Sequence, residues 1–284
     1  MKIIHNVIQM QAIADQLKKK SKTIGFVPTM GYLHNGHLSL IARSVKECDI
    51  TVVSIYVNPL QFGPKEDFKK YPRDIKTDLK LCRQQNVDYV FIPKDEQIYP
   101  VGYMTEVRVK GITESLCGKS RPGHFSGVTT IVNKLFNIVK PGIAYFGQKD
   151  AQQSLVIKKM VKDLHMPLKI KVLPIIRELD GLAMSSRNAY LDAKYRRDAI
   201  LLYLSLKKAK HLIAKKLRKT AKIISQMKRL LSQSEFATID YIVIVDADSL
   251  NEVKQLKAKT KVLIALAVYI GKVRLIDNII VKVD

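Results

Sequence analysis

Two histidines three residues apart are the first sign of chemistry. They lie in Pro28-Thr29-Met30-Gly31-Tyr32-Leu33-His34-Asn35-Gly36-His37. This segment follows a β-rich run, Thr23–Val27, and precedes helical spacing from Leu38 to Val45. In a parallel α/β sheet that order puts it at the carboxyl edge, where ligands bind. Gly31 and Gly36 let the backbone turn and approach a ligand closely. The helix N-terminus adds unpaired N–H groups and partial positive charge, which suit a phosphate. Both imidazoles can face one anion and donate to its oxygens as charge develops. A metal site is the competing chemistry, but it needs a third ligand and none is near in the chain. Two unrelated surface histidines are the plainer alternative. Only six histidines occur in the chain, and two of them share one Gly-flanked turn, which speaks against that.

Such a turn needs strands and helices to hold it. Asp49–Val57 is almost continuously apolar and β-branched, as suits a strand buried on both faces. Helical spacing over Ile75–Gln85, Phe125–Val139 and Asp150–Leu164 alternates with short strand-like runs at Tyr89–Ile92, Ile143–Phe146 and Ile170–Leu173. This alternation predicts an α/β fold, a Rossmann-like doubly wound parallel sheet. The first stretch, Met1–Lys20, has helical spacing and lacks the compact apolar block of a signal peptide. After about residue 180 the pattern changes. Ala193–Leu231 reads as helical, and Asp240–Val245, Lys261–Val268 and Val273–Val281 read as strands. Tyr269–Lys272, with Gly271, reads as a tight hairpin between the last two. A smaller C-terminal α+β domain is therefore expected, giving domains 1–180 and 181–284 with a boundary near Leu179–Asn188.

Composition narrows the class. The chain has 284 residues, 47% apolar and 26% charged, as in ordinary globular proteins rather than disordered ones. Its longest apolar run, Val262–Ile270, is about half of what a membrane helix needs, so no membrane partner is expected. Cys48, Cys82 and Cys117 are scattered, with no C-x-x-C pair. That indicates neither zinc nor a disulfide framework and points to a reducing, cytoplasmic setting. The net charge is +24, with 28 basic against 16 acidic residues in 1–180 and 21 against 9 in 181–284. The densest basic window is Lys207–Arg229, read as one helix with a buried stripe of Ile213, Leu217, Ala221, Ile224, Met227 and Leu231. Charge runs are usually solvated faces, and no aromatic residues interleave here, so no nucleic-acid partner is expected.

The His-x-Gly-His signature is similar to that of the nucleotidyltransferase superfamily. Four more segments sharpen the likeness. They are Asn58-Pro59-Leu60-Gln61-Phe62, Arg121-Pro122-Gly123-His124-Phe125, Tyr145-Phe146-Gly147-Gln148-Lys149-Asp150-Ala151-Gln152-Gln153 and Met184-Ser185-Ser186-Arg187-Asn188. Together, from about Gly25 to Leu191, they closely resemble the pantothenate synthetase (pantoate–β-alanine ligase) family. Tyr71-Pro72-Arg73 also resembles it, without an assigned role.

The resemblance implies an enzyme that condenses (R)-pantoate with β-alanine using ATP, through a pantoyl adenylate, releasing AMP and pyrophosphate. It puts His34 and His37 on the ATP phosphates and Lys149 on the α-phosphate, as the catalytic residues. It puts Asp150 on the ribose hydroxyls, and Ser185, Ser186 and Arg187 on the β- and γ-phosphates. Met30, Gly147 and Ile176 complete the implied ATP set, and Gln61 and Gln153 are the implied pantoate clamps. His124 either lines the site or is structural. Mg²⁺ is expected with ATP, because it would bridge the β- and γ-phosphates and neutralise the leaving pyrophosphate, and the sequence shows no dedicated metal cage. The resemblance also implies a C-terminal lid domain and a homodimer. The chemistry agrees independently. A carboxylate is already ionised at neutral pH, so adenylation needs positioning and charge stabilisation rather than a general base. Another adenylyltransferase of the same signature, or an RNA-binding relative of tRNA synthetases using the basic window, are the competing functions.

Overall fold

Adjacent apolar residues in four strands pack on opposite faces of one sheet. Phe26, Val52, Phe91 and Phe146 join one core, and their neighbours Val27, Val53, Val90 and Tyr145 join another. Side chains alternate along a strand, so a run that is apolar at every position must be covered on both sides. The computed structural model describes residues 1–64 and 66–284. The sheet has six parallel strands: β1 (Lys2–Ile4), β2 (Ile24–Thr29), β3 (Ile50–Ile55), β4 (Tyr89–Phe91), β5 (Ile143–Gly147) and β6 (Lys169–Leu173). Their order is β1-β4-β3-β2-β5-β6.

Among the described residues the α-helices between them are α1 (Val7–Lys19), α2 (Asn35–Glu47), α3 (Ile75–Gln84), α4 (Asp95–Ile98), α5 (Cys117–Ser120), α6 (His124–Val139) and α7 (Ala151–Asp163). Helices α1, α6 and α7 cover one face, through Met10, Val132, Leu135 and Met160. Helices α2 and α3 cover the other, through Leu40, Ile41 and Cys82. The expected Rossmann-like sheet is present, and its order reverses between β2 and β5. That reversal opens a crevice at their carboxyl ends. Helix α2, which starts at this crevice, is anchored at its far end. Glu47 accepts from Tyr145 Oη and Lys171 Nζ, each at 2.8 Å. Lys171 and Tyr145 hold the Glu47 carboxyl at a pKa of about 2, well below the usual carboxylate range.

The remaining elements are α8 (Ala193–Ala214), α9 (Thr220–Leu231), β7 (Ala237–Asp246), β8 (Lys261–Ile270) and β9 (Val273–Lys282). The three strands form an antiparallel sheet in the order β7-β8-β9, as an α+β unit requires. Gly271, at φ 58°, makes the two-residue turn between paired Ile270 and Val273. By compactness the chain divides into Met1–Gln148 with Gln153–Pro174, and Lys149–Gln152 with Ile175–Asp284.

Two expectations are corrected. Lys2–Ile4 is a strand beside β4, not helix, and α1 begins only after Asn6, whose side chain caps it. The β-branched Ile3 and Ile4 suit the pleat, and Asn6 ends the extended run. The basic window is not one helix. Residues 215–219 separate α8 from α9, with Lys216 at φ 62°. The break resets the helical register. Ile223, Met227 and Leu231 are buried on α9, whereas Ala221 is exposed and Ile224 only half-buried.

Candidate active site

The turn after β2 is built by its own residues and by one buried carboxylate. Thr29 donates its hydroxyl to Ser54 O and accepts from Gly31 N. Gly31 and Tyr32 both take left-handed backbone, at φ 79° and 51°. A Cβ on Gly31 would lie 2.9 Å from Asp78 Oδ2 and 3.0 Å from Ile55 Cγ2, so glycine is required there. Asp78, from α3, accepts from Tyr32 N at 2.9 Å and Leu33 N at 2.7 Å. Burial pushes the Asp78 pKa up, and these two amide donors oppose that shift.

The histidine pair forms a capping box of imidazoles. His34 is the N-cap of α2, and its Nδ1 accepts from Gly36 N at 3.1 Å. His37 Nδ1 accepts in return from His34 N at 3.3 Å. The rings stand 4.1 Å apart between centroids, tilted by 36°. An Nδ1 that accepts carries no hydrogen, so in each neutral ring the hydrogen sits on Nε2. The cap thus fixes two Nε2–H donors at one helix N-terminus, where anions are favoured.

Gln61 lies beside this turn. It closes a 3-10 turn, Pro59–Gln61, and its Nε2 donates to Met30 Sδ at 2.8 Å. Its main-chain carbonyl oxygen accepts from His124 Nδ1 at 2.8 Å and from Arg121 Nη2 at 3.2 Å. A carbonyl only accepts, so His124 carries its hydrogen on Nδ1, and its Nε2 accepts from Arg121 Nη1 at 3.0 Å. Arg121 is held by Glu66 through Nε at 2.8 Å and Nη2 at 2.5 Å. His124 is therefore part of the framework around Gln61. Gly147 ends β5, and its carbonyl oxygen accepts from Ser154 Oγ at 3.4 Å. Gln153 stands half-buried in the first turn of α7.

The second compact unit holds the other expected residues. Lys149 Nζ lies 3.6 Å from Asp150 Oδ1. Asn278, on β9, donates to Lys149 O at 2.9 Å. Ile176 O accepts from Met184 N at 3.0 Å, beside an antiparallel bridge between Arg177 and Ala183. Arg177 grips Asp277 with both terminal nitrogens, at 2.6 and 3.0 Å. Beyond this small hairpin, Ser185 caps a 3-10 turn, Ser186–Tyr190, and its Oγ accepts from Arg187 N at 3.2 Å. That leaves the Ser185 hydroxyl hydrogen able to donate outward. Asn188 fastens the turn to Glu178 Oε1 at 2.7 Å and Ala183 O at 3.1 Å.

The structure thus brings Met30 and Gln61 together, His34 and His37 together, and Lys149 and Asp150 together. Ser185, Ser186 and Arg187 share one turn. Asp78 and Asn278 carry no sequence signal as site residues, because the residues they hold lie 45 to 129 positions away. The only signal for Asn58 and Arg121 was their place inside the quoted motifs.

A Rossmann-like parallel sheet with two histidines opening the helix at its switch point is the architecture of a nucleotide-using α/β enzyme. Comparison with known proteins makes this specific. The family model for pantoate-beta-alanine ligase matches residues 2–280. The pantothenate synthetase of Acetivibrio thermocellus is 55% identical over 283 residues, 100% of each chain to the nearest per cent, and that of Caldicellulosiruptor bescii is 53% identical over 99% of each. The crystal structure of pantothenate synthetase from Thermus thermophilus superposes with a TM-score of 0.92 at 40% identity, covering 98% of this chain and 99% of that one. Pantoate-beta-alanine ligase from Francisella tularensis, complexed with β-γ ATP and β-alanine, superposes with a TM-score of 0.79 at 40% identity, covering 98% and 97%. The chain belongs to the pantoate–β-alanine ligase family, as its motifs led one to expect.

Proposed function

We infer that the chain condenses (R)-pantoate with β-alanine using ATP, giving pantothenate, AMP and pyrophosphate through a pantoyl adenylate. The observation that carries this reading is the imidazole capping box, with its two Nε2–H donors at the N-terminus of α2. In the first step a pantoate carboxylate oxygen attacks the α-phosphorus and pyrophosphate leaves. In the second the β-alanine amine attacks the acyl carbon and AMP leaves. The carboxylate needs no base, so the protein's work in the first step is orientation and charge stabilisation.

His34 and His37 donate to the ATP phosphates from Nε2. Lys149 follows the charge developing at the α-phosphate as a mobile point charge. Asp150 accepts from the ribose hydroxyls. Ser185 and Ser186 donate to the β- and γ-phosphates, and Arg187 offers its planar fork there. Met30, Gly147 and Ile176 contribute main-chain groups and packing to the nucleotide. Gln61 and Gln153 clamp pantoate with uncharged amides, which add no repulsion to a carboxylate. Residues 1–180 are proposed to bind nucleotide and pantoate, and residues 181–284 to serve as a lid domain.

Among the described residues no group of three His, Cys, Asp or Glu could hold a metal ion. Mg²⁺ is proposed as part of the nucleotide substrate, where it would offset the negative charge of the leaving pyrophosphate. Among the described residues no helix is long and apolar enough to cross a membrane. A cytoplasmic homodimer completes the proposal, and sedimentation tests the dimer. The reaction is tested by following pyrophosphate and AMP from Mg·ATP. About one equivalent of pyrophosphate with pantoate alone, becoming continuous AMP release when β-alanine is added, is the expected result. No pyrophosphate with pantoate would overturn the assignment.

A further inference from the structure

Asn58 precedes the 3-10 turn that carries Gln61, and it is only 1% exposed. A side-chain amide buried this deeply must find partners for its hydrogens and its oxygen. Three neighbours supply them. Asn58 Nδ2 lies 3.1 Å from Gly127 O and 3.2 Å from Gln61 Oε1, and Asn58 Oδ1 lies 2.7 Å from Tyr99 Oη.

The polarity of this chain of bonds follows from one atom. Gly127 O is a main-chain carbonyl and can only accept, so the Asn58 atom facing it is the amide nitrogen. Asn58 Oδ1 then faces Tyr99, whose hydroxyl donates. The second Nδ2 hydrogen points at Gln61, whose facing atom must be Oε1. Gln61 is left presenting Nε2, as its bond to Met30 Sδ shows. Gly127 makes the anchor possible. A Cβ there would lie 2.2 Å from Leu60 O and 2.6 Å from Gln61 N, so only glycine lets α6 come this close to the turn.

Tyr99 is itself firmly held. Its ring packs edge-on to Tyr103 at 5.1 Å between centroids, and Lys134 Nζ lies 5.2 Å over it. Burial pushes its hydroxyl pKa well up, so the group stays a donor throughout the neutral range.

We propose that Tyr99 is a positioning residue that acts through Asn58 to fix which end of the Gln61 amide meets the substrate. This rests on the reading of Gln61 as a pantoate clamp. Removal of the Tyr99 hydroxyl leaves Asn58 Oδ1 buried without its donor. Asn58 cannot turn over without setting its oxygen against Gly127 O, so it shifts, and the Gln61 amide is no longer held one way round. Substrate then meets Nε2 in only part of the population.

The test compares Tyr99→Phe, Gln61→Ala and the double variant with the wild-type enzyme. Tyr99→Phe keeps the ring and its packing. It is expected to raise the KM for pantoate about tenfold while kcat and the KM for ATP change less than about twofold, the loss expected for one buried hydrogen bond. In the Gln61→Ala background the same substitution should add less than about twofold, because the residue through which it acts is gone. A Tyr99→Phe enzyme with unchanged pantoate KM overturns the proposal, and so does a full tenfold effect on top of Gln61→Ala. Gln61→Ala alone tests the reading beneath it. If that variant leaves the pantoate KM unchanged, the clamp assignment fails and takes the proposal with it. If it raises the KM and Tyr99→Phe does not, only the Tyr99 relay fails.

Discussion

Asn278 Nδ2 donates to the carbonyl oxygen of Lys149 at 2.9 Å, joining residues 129 apart in the chain. The preceding residue, Asp277, holds Arg177 in a two-pronged ion pair and is 2% exposed. Two consecutive positions of β9 therefore fix the backbone of Lys149 and the hairpin that leads to Ser185. Asn278→Ala should lower kcat about tenfold, since small misplacements of a reacting group are costly. Its stability loss should be about 1–2 kcal/mol, the cost of one buried hydrogen bond. Turnover measured beside thermal unfolding checks both. An unchanged kcat would separate the Lys149 backbone from catalysis.

Lys149→Ala should reduce kcat by about 10²- to 10³-fold, as expected for loss of one cation from a transition state. The KM for pantoate should change less than about threefold, and the circular dichroism spectrum should not change. Steady-state kinetics with varied pantoate measures this directly.

The imidazole cap can be taken apart, because asparagine and glutamine mimic different ends of the ring. His34→Asn keeps an acceptor near the Nδ1 position and loses the Nε2 donor. It should unfold nearly as the wild type does and lose about 10²-fold in kcat. His34→Gln keeps a donor near Nε2 and loses the cap. It should cost about 1 kcal/mol of stability and retain more activity than His34→Asn. The opposite ranking in paired melting and turnover measurements would reverse the tautomer assignment.

Gly127→Ala tests the close approach of α6 to the Gln61 turn. The atoms in the way are main-chain atoms of Leu60 and Gln61, which cannot swing aside. A destabilisation of about 1–3 kcal/mol is expected, with a raised KM for pantoate. Denaturant unfolding and substrate titration measure the two effects.

Glu47 gives the first unit an acid limit. Its folded pKa of about 2 lies below the ordinary value of about 4.3 for an unfolded glutamate. Its contribution is therefore complete above the ordinary value and is lost as pH falls toward 2. Glu47→Gln should flatten the decline in stability between about pH 4.5 and 2. Denaturant midpoints of both proteins across that range check it.

The sheet was legible because each buried strand is apolar at consecutive positions and alternates with helical spacing. What escaped was short or depended on tertiary contact. The strand Lys2–Ile4 has three residues and runs straight into the spacing of α1. The break after α8 uses Lys216 in left-handed backbone, with no glycine or proline to announce it. The histidine pair stands out because it sits in a Gly-flanked turn beside a strand, whereas Met30 and Gln61 became site candidates only through the family resemblance of their motifs. Asp78, Tyr99 and Asn278 carry no such signal, because each acts on a residue 41 to 129 positions away. Spacing reports what a segment presents, and it is silent on which distant side chain orients it.

Attack of the pantoate carboxylate on the α-phosphorus of ATP is the step on which the proposed reaction depends. The most direct measurement uses pantoate labelled with ¹⁸O in the carboxylate, turned over with ATP and β-alanine. AMP carrying one ¹⁸O in its phosphate is the expected product, because the bridging oxygen of the adenylate leaves with AMP. The second carboxylate oxygen stays in the amide carbonyl of the product, so AMP without label, or label found in pyrophosphate, would contradict it.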